Sequence, residues 1–147
     1  MLASAIELNQ NPMTDTAPIV TIVNTNPDLV RILRVALEQV GFIVFEVHIE
    51  EIKLAEANVE SFLHQHNPKV ILYDIAPPYD QNWRFLEHLR TSTSFKGRQF
   101  VLTTVNKQRV DELVGIDETV YEVVGKADDV ADVVRAVREA SRARPTR

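Results

Sequence analysis

The stretch IVTIVNTNPDLVRILRVALEQVG, residues 19–41, carries one complete strand-then-helix unit. Ile19-Val20-Thr21-Ile22-Val23 is a short apolar, β-branched run of the kind that fills a buried strand. Asn26-Pro27 follows, pairing a helix-capping side chain with a proline suited to the first helical position. Leu29, Leu33, Ala36, Leu37 and Val40 then recur at helical spacing, and Gly41 stands where such a helix stops. Asp28 lies in the first turn, where a carboxylate complements the helix dipole.

The same alternation continues downstream. Phe42 to Ile49 reads as a second strand, and a weaker helix runs from about Ile52 to His66 with Leu54, Ala55, Val59, Phe62 and Leu63 on one side. Val70-Ile71-Leu72-Tyr73 is a third buried strand ending at Asp74. After the Pro77-Pro78 loop, Asn82 to Arg90 is helical, with Trp83, Leu86 and Leu89 facing inward. Gln99 to Thr104 is the fourth strand, Lys107 to Val114 a short helix ending at Gly115, and Val120 to Val124 the fifth strand. Val130, Val133, Val134 and Val137 mark a last amphipathic helix running toward Ala143.

Five buried strands alternating with five helices predict an α/β, three-layer sandwich with a parallel five-stranded sheet. Right-handed crossovers leave few topologies, and the flavodoxin-like (βα)5 order 2-1-3-4-5 is the expected one. The domain covers residues 19–143. Residues 1–18 read as a flexible leader without the basic start and continuous apolar stretch of a signal peptide, and Met13 is a candidate translation start. Residues 144–147 form a short basic tail.

Composition removes several classes of function. A chain of 147 residues with 45% apolar and 25% charged residues suits one ordinary globular core. The absence of cysteine excludes disulfides and cysteine-based zinc sites. No apolar run approaches the roughly 20 residues needed to span a bilayer, so no membrane contact and a cytoplasmic location are expected. A net charge of −5 argues against unaided binding to nucleic acid. His48, His64, His66 and His88 lack ligand spacing, and none of the four glycines forms a phosphate-cradling motif.

In open parallel sheets, ligands gather at the carboxyl ends of the strands. That rule selects Asn24-Thr25-Asn26 after the first strand, Asp74 after the third, Thr104 after the fourth and Lys126 after the fifth. An acid, a hydroxyl and an amine converging on one edge suit phosphoryl chemistry. The carboxylate is the nucleophile, and the other two stabilise charge on the transferred group. Thr103 adjoins Thr104, and a slip of one residue exchanges the two.

From about Ile19 to Ala140 the chain resembles the receiver domains of response regulators. The resemblance rests on Tyr73-Asp74 with proline at Pro78, on Thr104 thirty residues beyond Asp74, on Lys126 ending the fifth strand and on the helical run Asp128 to Ala140. It implies a single-domain receiver in two-component phosphorelay signalling. Asp74 is then the phosphoacceptor, supplied by a histidine kinase or phosphotransfer protein, and Thr104 and Lys126 assist it. The signal passes by protein contact rather than by turnover catalysis. A downstream partner or a homodimer would use the face near Leu113, Val114, Tyr121 and the outer side of the helix from Asp129 to Ala140.

The departures from that family bear on the metal. Family members carry two carboxylates after the first strand, which hold Mg²⁺ with the phosphoacceptor, whereas this chain has Asn24 and Thr25. Asp74, Asn24 and Thr25 would therefore bind Mg²⁺ weakly. The family's small residue eight after the phosphoacceptor is Asn82 here, the proline after the lysine is Ala127, and the switching aromatic is Val123. Tyr121, two positions earlier on the same strand face as Val123, is a candidate substitute. Two readings stay open, a phosphate-accepting switch and a phosphorylation-independent pseudo-receiver that acts as an interaction module. A small flavodoxin-like enzyme or flavin carrier is disfavoured because the first loop lacks glycines to cradle a phosphate.

Overall fold

The computed structural model describes residues 17–24, 26–48, 56–91, 95–125 and 129–143. The leader, Thr25, the start of the second helix, Lys126 to Asp128 and the basic tail lie outside the described residues.

The elements follow the expected alternation. They are β1 (Ile19–Asn24), α1 (Pro27–Gln39), β2 (Ile43–His48), α2 (Glu56–His66), β3 (Val70–Asp74), α3 (Tyr79–Arg90), β4 (Gln99–Thr104), α4 (Lys107–Val114), β5 (Val120–Gly125) and α5 (Val130–Arg142). The five strands are parallel, in the order β2-β1-β3-β4-β5. Among the described residues, no helix is long and apolar enough to cross a membrane.

Strand alternation builds two cores from one sheet. Val20, Ile22, Val70, Leu72 and Val101 pack on one side against Leu33 and Leu37 of α1 and Val133, Ala136 and Val137 of α5. Ile71, Tyr73, Phe100 and Leu102 pack on the other side against Leu63 of α2, Trp83, Leu86 and Leu89 of α3, and Val110 of α4. Each fully buried Leu or Val contributes roughly 1.5–3 kcal/mol of transfer free energy.

Helix starts are set by short polar side chains. The Asn26 Oδ1 accepts hydrogen bonds from the backbone N–H groups of Asp28 (3.0 Å) and Leu29 (3.2 Å), so the expected cap of α1 forms. Asn106 caps α4 in the same way, accepting from Arg109 N at 3.2 Å. α3 begins at Tyr79, three residues before the expected Asn82, with Pro78 at its N-cap and no side-chain cap bond. The Pro77-Pro78 pair, whose peptide bond is cis, marks the loop correctly. It hides a helix start that relies on Asp80 in the first turn instead of a capping side chain.

The β4–β5 pairing contains one irregularity. Phe100 pairs with Val120 and Val101 with Glu122, so Tyr121 is an extra residue in β5. The extra residue breaks the alternation. Val123 packs on the α2–α4 side, whereas the Tyr121 hydroxyl donates to Glu139 Oε1 on α5 at 3.3 Å. The expectation that Tyr121 shares a face with Val123 is therefore corrected.

Candidate functional site

Asp74 is the last residue of the central strand β3, at the carboxyl edge of the sheet. Its partner in register on β4 is Thr103. Residues paired in register on adjacent parallel strands point to the same face, so the Thr103 hydroxyl reaches the Asp74 carboxylate. Thr103 Oγ1 donates to Asp74 Oδ1 at 2.8 Å. No described residue hydrogen-bonds to Asp74 Oδ2.

The switch of residue from Thr104 to Thr103 is a correction with a geometric cause. Thr104 is one step further along β4, so it faces away from Asp74. Its Oγ1 accepts from Asn106 N at 3.2 Å and so shapes the turn into α4. Both threonines are buried, and only register separates their roles.

Extending the β1–β3 register one step beyond Val23↔Tyr73 sets Asn24 beside Asp74. Asn24 is buried, and its Oδ1 accepts from Asn26 N at 2.9 Å. The oxygen expected to serve as a metal ligand thus closes a local turn. Thr25 and Lys126, the other two expected site residues, lie outside the described residues. The strand that leads to Lys126 ends at Gly125, where the chain passes close to α4: a Cβ there would lie 3.1 Å from Lys107 Cβ.

The loop after Asp74 is held on both sides. Ile75, fully buried, donates its N–H to Thr103 O at 2.9 Å. Asn82 Nδ2 donates to Ala76 O at 2.7 Å. At the same edge, Arg109 Nη2 of α4 contacts both oxygens of Asp80 of α3, at 2.6 and 2.8 Å. Asn82 and the Asp80–Arg109 bridge are contributions the sequence reading did not assign. The bridge joins positions 29 residues apart, a pairing that no local periodicity reveals.

Burial raises the pKa of Asp74 above its ordinary value, and the hydrogen bond from Thr103 offsets part of that rise. A partly desolvated carboxylate with one oxygen held and the other without a described partner can attack an electrophilic phosphorus. The donor set fits a divalent cation poorly. Among the described residues no group of three His, Cys, Asp or Glu side chains could hold a metal ion. Mg²⁺ favours several hard, charged oxygens in octahedral array, and Asp74 is the one carboxylate that the register places at this point.

The expected partner face is only partly exposed. Leu113 and Val114 pack inward against the α2–α4 core. Tyr121 is exposed, and Val105 and Ile116, in the turns that flank α4, are more exposed still. Arg135 of α5 pairs with Glu122 of β5 at 2.6 Å.

No known family pattern matches the sequence, and no curated protein matches it. Solved structures do match. A signal receiver domain of a two-component histidine kinase from Clostridium thermocellum superposes with a TM-score of 0.68 at 12% identity, over 86% of this chain and 98% of that one. A sensor protein from Polaromonas sp. JS666 gives 0.67 at 18% identity, over 84% and 95%. The response regulator TrrA from Thermotoga maritima, in complex with Mg²⁺ and BeF, gives 0.61 at 15% identity, over 84% and 98%. These identities establish a shared fold, and function has to be argued from the site.

Proposed function

We propose that the chain is an atypical receiver module that accepts a phosphoryl group on Asp74 and signals by protein contact. The observation that carries this is the Asp74 carboxylate at the carboxyl end of the central strand, with Oδ1 held by Thr103 and Oδ2 left without a described partner. A cytoplasmic histidine kinase or phosphotransfer protein is the proposed donor. The proposed contact face for a downstream protein or a second copy runs over Val105, Ile116, Tyr121 and the outer side of α5. The module is not a turnover enzyme in this reading, because the phosphoryl group rests on the protein itself.

Mg²⁺ binding is proposed to be weak. Asn24 brings no charge to the site and commits its oxygen to Asn26 N, so Asp74 faces little of the carboxylate crowding that a divalent ion relieves. Phosphorylation is then slow. Intact mass after incubation with acetyl phosphate and Mg²⁺ tests the proposal. The wild type should gain a phosphoryl group slowly, and Asp74→Ala should gain none; equal labelling of both proteins would refute it.

The Asn24 turn also favours a second reading, a pseudo-receiver whose contacts need no phosphate. Replacing Asn24 and Thr25 together by Asp separates the two. Faster labelling and tighter Mg²⁺ binding in that variant support a dormant acceptor site, whereas unchanged labelling supports the pseudo-receiver. Micromolar or tighter Mg²⁺ affinity in the wild type contradicts both.

A further inference from the structure

The opposite, amino edge of the sheet carries a cleft of about 780 Å³. Its cationic lining comes from three places in the chain: Lys69 before β3, Lys96 and Arg98 before β4, and Arg138 and Arg142 on α5. No carboxylate among the described residues lines it, although acids outnumber bases in this protein by 21 to 16. Arg31, Arg34, Arg90, Arg109 and Arg135 each pair with an acid. Lys69, Lys96, Arg138 and Arg142 form no ion pair with a described residue.

The site is built on rigid backbone. Three parallel-strand links hold its rim: Ile43 N to Pro18 O (2.9 Å), Lys69 N to Ile19 O (2.9 Å) and Gln99 N to Lys69 O (3.1 Å). Arg98 is pinned by three acceptors. Its Nη1 donates to Asn67 Oδ1 (2.9 Å) and Pro68 O (2.6 Å), and its Nη2 to Leu63 O (3.2 Å). Arg138 and Arg142 are four apart on α5 and share a helix face, where like charges repel by a few tenths of a kcal/mol. The carbonyl end of α5 favours one cation in the last turn, Arg142, which leaves the rest of the cluster unaccounted for. Ile19, Phe42 and the exposed Val40 supply an apolar wall beside the cations.

We propose that this cleft binds a small anion carrying two or more phosphates. The concavity and volume match small-molecule sites, which run from roughly 300 to 1,000 Å³. Several cations without a carboxylate suit an oligophosphate, and the net charge of −5 disfavours a long nucleic acid. The ligand source is either an inorganic polyphosphate or a nucleotide whose base rests on the apolar wall. The site is remote from Asp74 and does not depend on its phosphorylation.

Calorimetry at physiological salt, with tripolyphosphate and ATP as probes, tests this. Both should bind, and the exposed double variant Lys69→Gln, Arg138→Gln should weaken each by at least tenfold while Asp74→Ala leaves both unchanged. Tighter binding of ATP than of tripolyphosphate identifies the nucleotide as the source, and equal binding identifies the phosphate chain. No binding up to millimolar probe overturns the proposal. So does binding that survives the double variant, or displacement of the probes by an acidic peptide at lower concentration than either.

Discussion

Asp74 and Asp117 are both partly buried carboxylates near strand ends, and their surroundings push them in opposite directions. Burial raises Asp74, and one hydroxyl is its sole hydrogen-bond donor among the described residues. Burial would raise Asp117 too, but hydrogen bonds from Arg90 and Thr119 hold it below its usual range. Arg90 Nη2 lies 2.8 Å from Asp117 Oδ2, and its Nη1 also donates to Thr119 Oγ1. The guanidinium sits over the rings of Trp83, at 5.0 Å, and Phe100, at 5.9 Å. Asp117 is thus a fastener between the end of α3 and the start of β5, whereas Asp74 Oδ2 has no hydrogen-bond partner among the described residues. The contrast separates a carboxylate whose burial is offset by a cation from one whose burial is offset by a single hydroxyl.

The largest expected effect lies at the fastener. Asp117→Ala strands a cation whose side chain is only 14% exposed, and should destabilise the protein by about 2 kcal/mol, between the values for surface and buried pairs. Urea unfolding measures this, and a change within error would show that Arg90 finds other partners. In the wild type, the contribution of Asp117 is present above its unfolded pKa and disappears as pH falls through the lower folded value.

Asp74 should behave in the opposite sense. Its folded pKa lies above the unfolded one, so the folded state holds the proton longer, and stability falls as pH rises through the window between the two values. Asp74→Asn keeps an acceptor for Thr103 and removes the ionised group. It should therefore stabilise the protein at pH 7, a gain that vanishes below the carboxylate range. Denaturant curves at two pH values check this; a loss of stability at pH 7 would place Asp74 with Asp117 as a structural acid.

The smallest effect separates the two threonines. Thr103→Val removes the hydrogen bond to Asp74, so the Asp74 carboxyl should titrate higher and label more slowly, with a stability change of about 1 kcal/mol or less. Thr104→Val should leave Asp74 untouched and affect only the turn at Asn106. Carboxyl NMR titration of both variants distinguishes them, and an equal response from the two would break the register argument.

What was legible in the sequence follows periodicity. Apolar runs and helical repeats located all ten elements and their order, because burial on two faces of a parallel sheet imposes simple patterns. Asp74 was legible because a strand end is a position in a pattern. Thr103 against Thr104 was not, since each strand alone satisfies either assignment and only pairing with β3 decides. Strict alternation puts Tyr121 on the same face as Val123, and the bulge that moves it leaves no mark in composition. The Arg90–Asp117 fastener and the cationic cleft join residues far apart in the chain, and local windows carry no trace of either.

Asp74 is the proposed acceptor, and hydride trapping locates the acceptor directly. Borohydride reduces an aspartyl phosphate to homoserine, so the protein is labelled with acetyl phosphate, reduced, digested and sequenced by tandem mass spectrometry. Homoserine at position 74, and at no other acidic position, is the predicted result. Homoserine at Asp80 or Asp117 instead, or none after prolonged labelling of the variant that carries Asp in place of both Asn24 and Thr25, would contradict it.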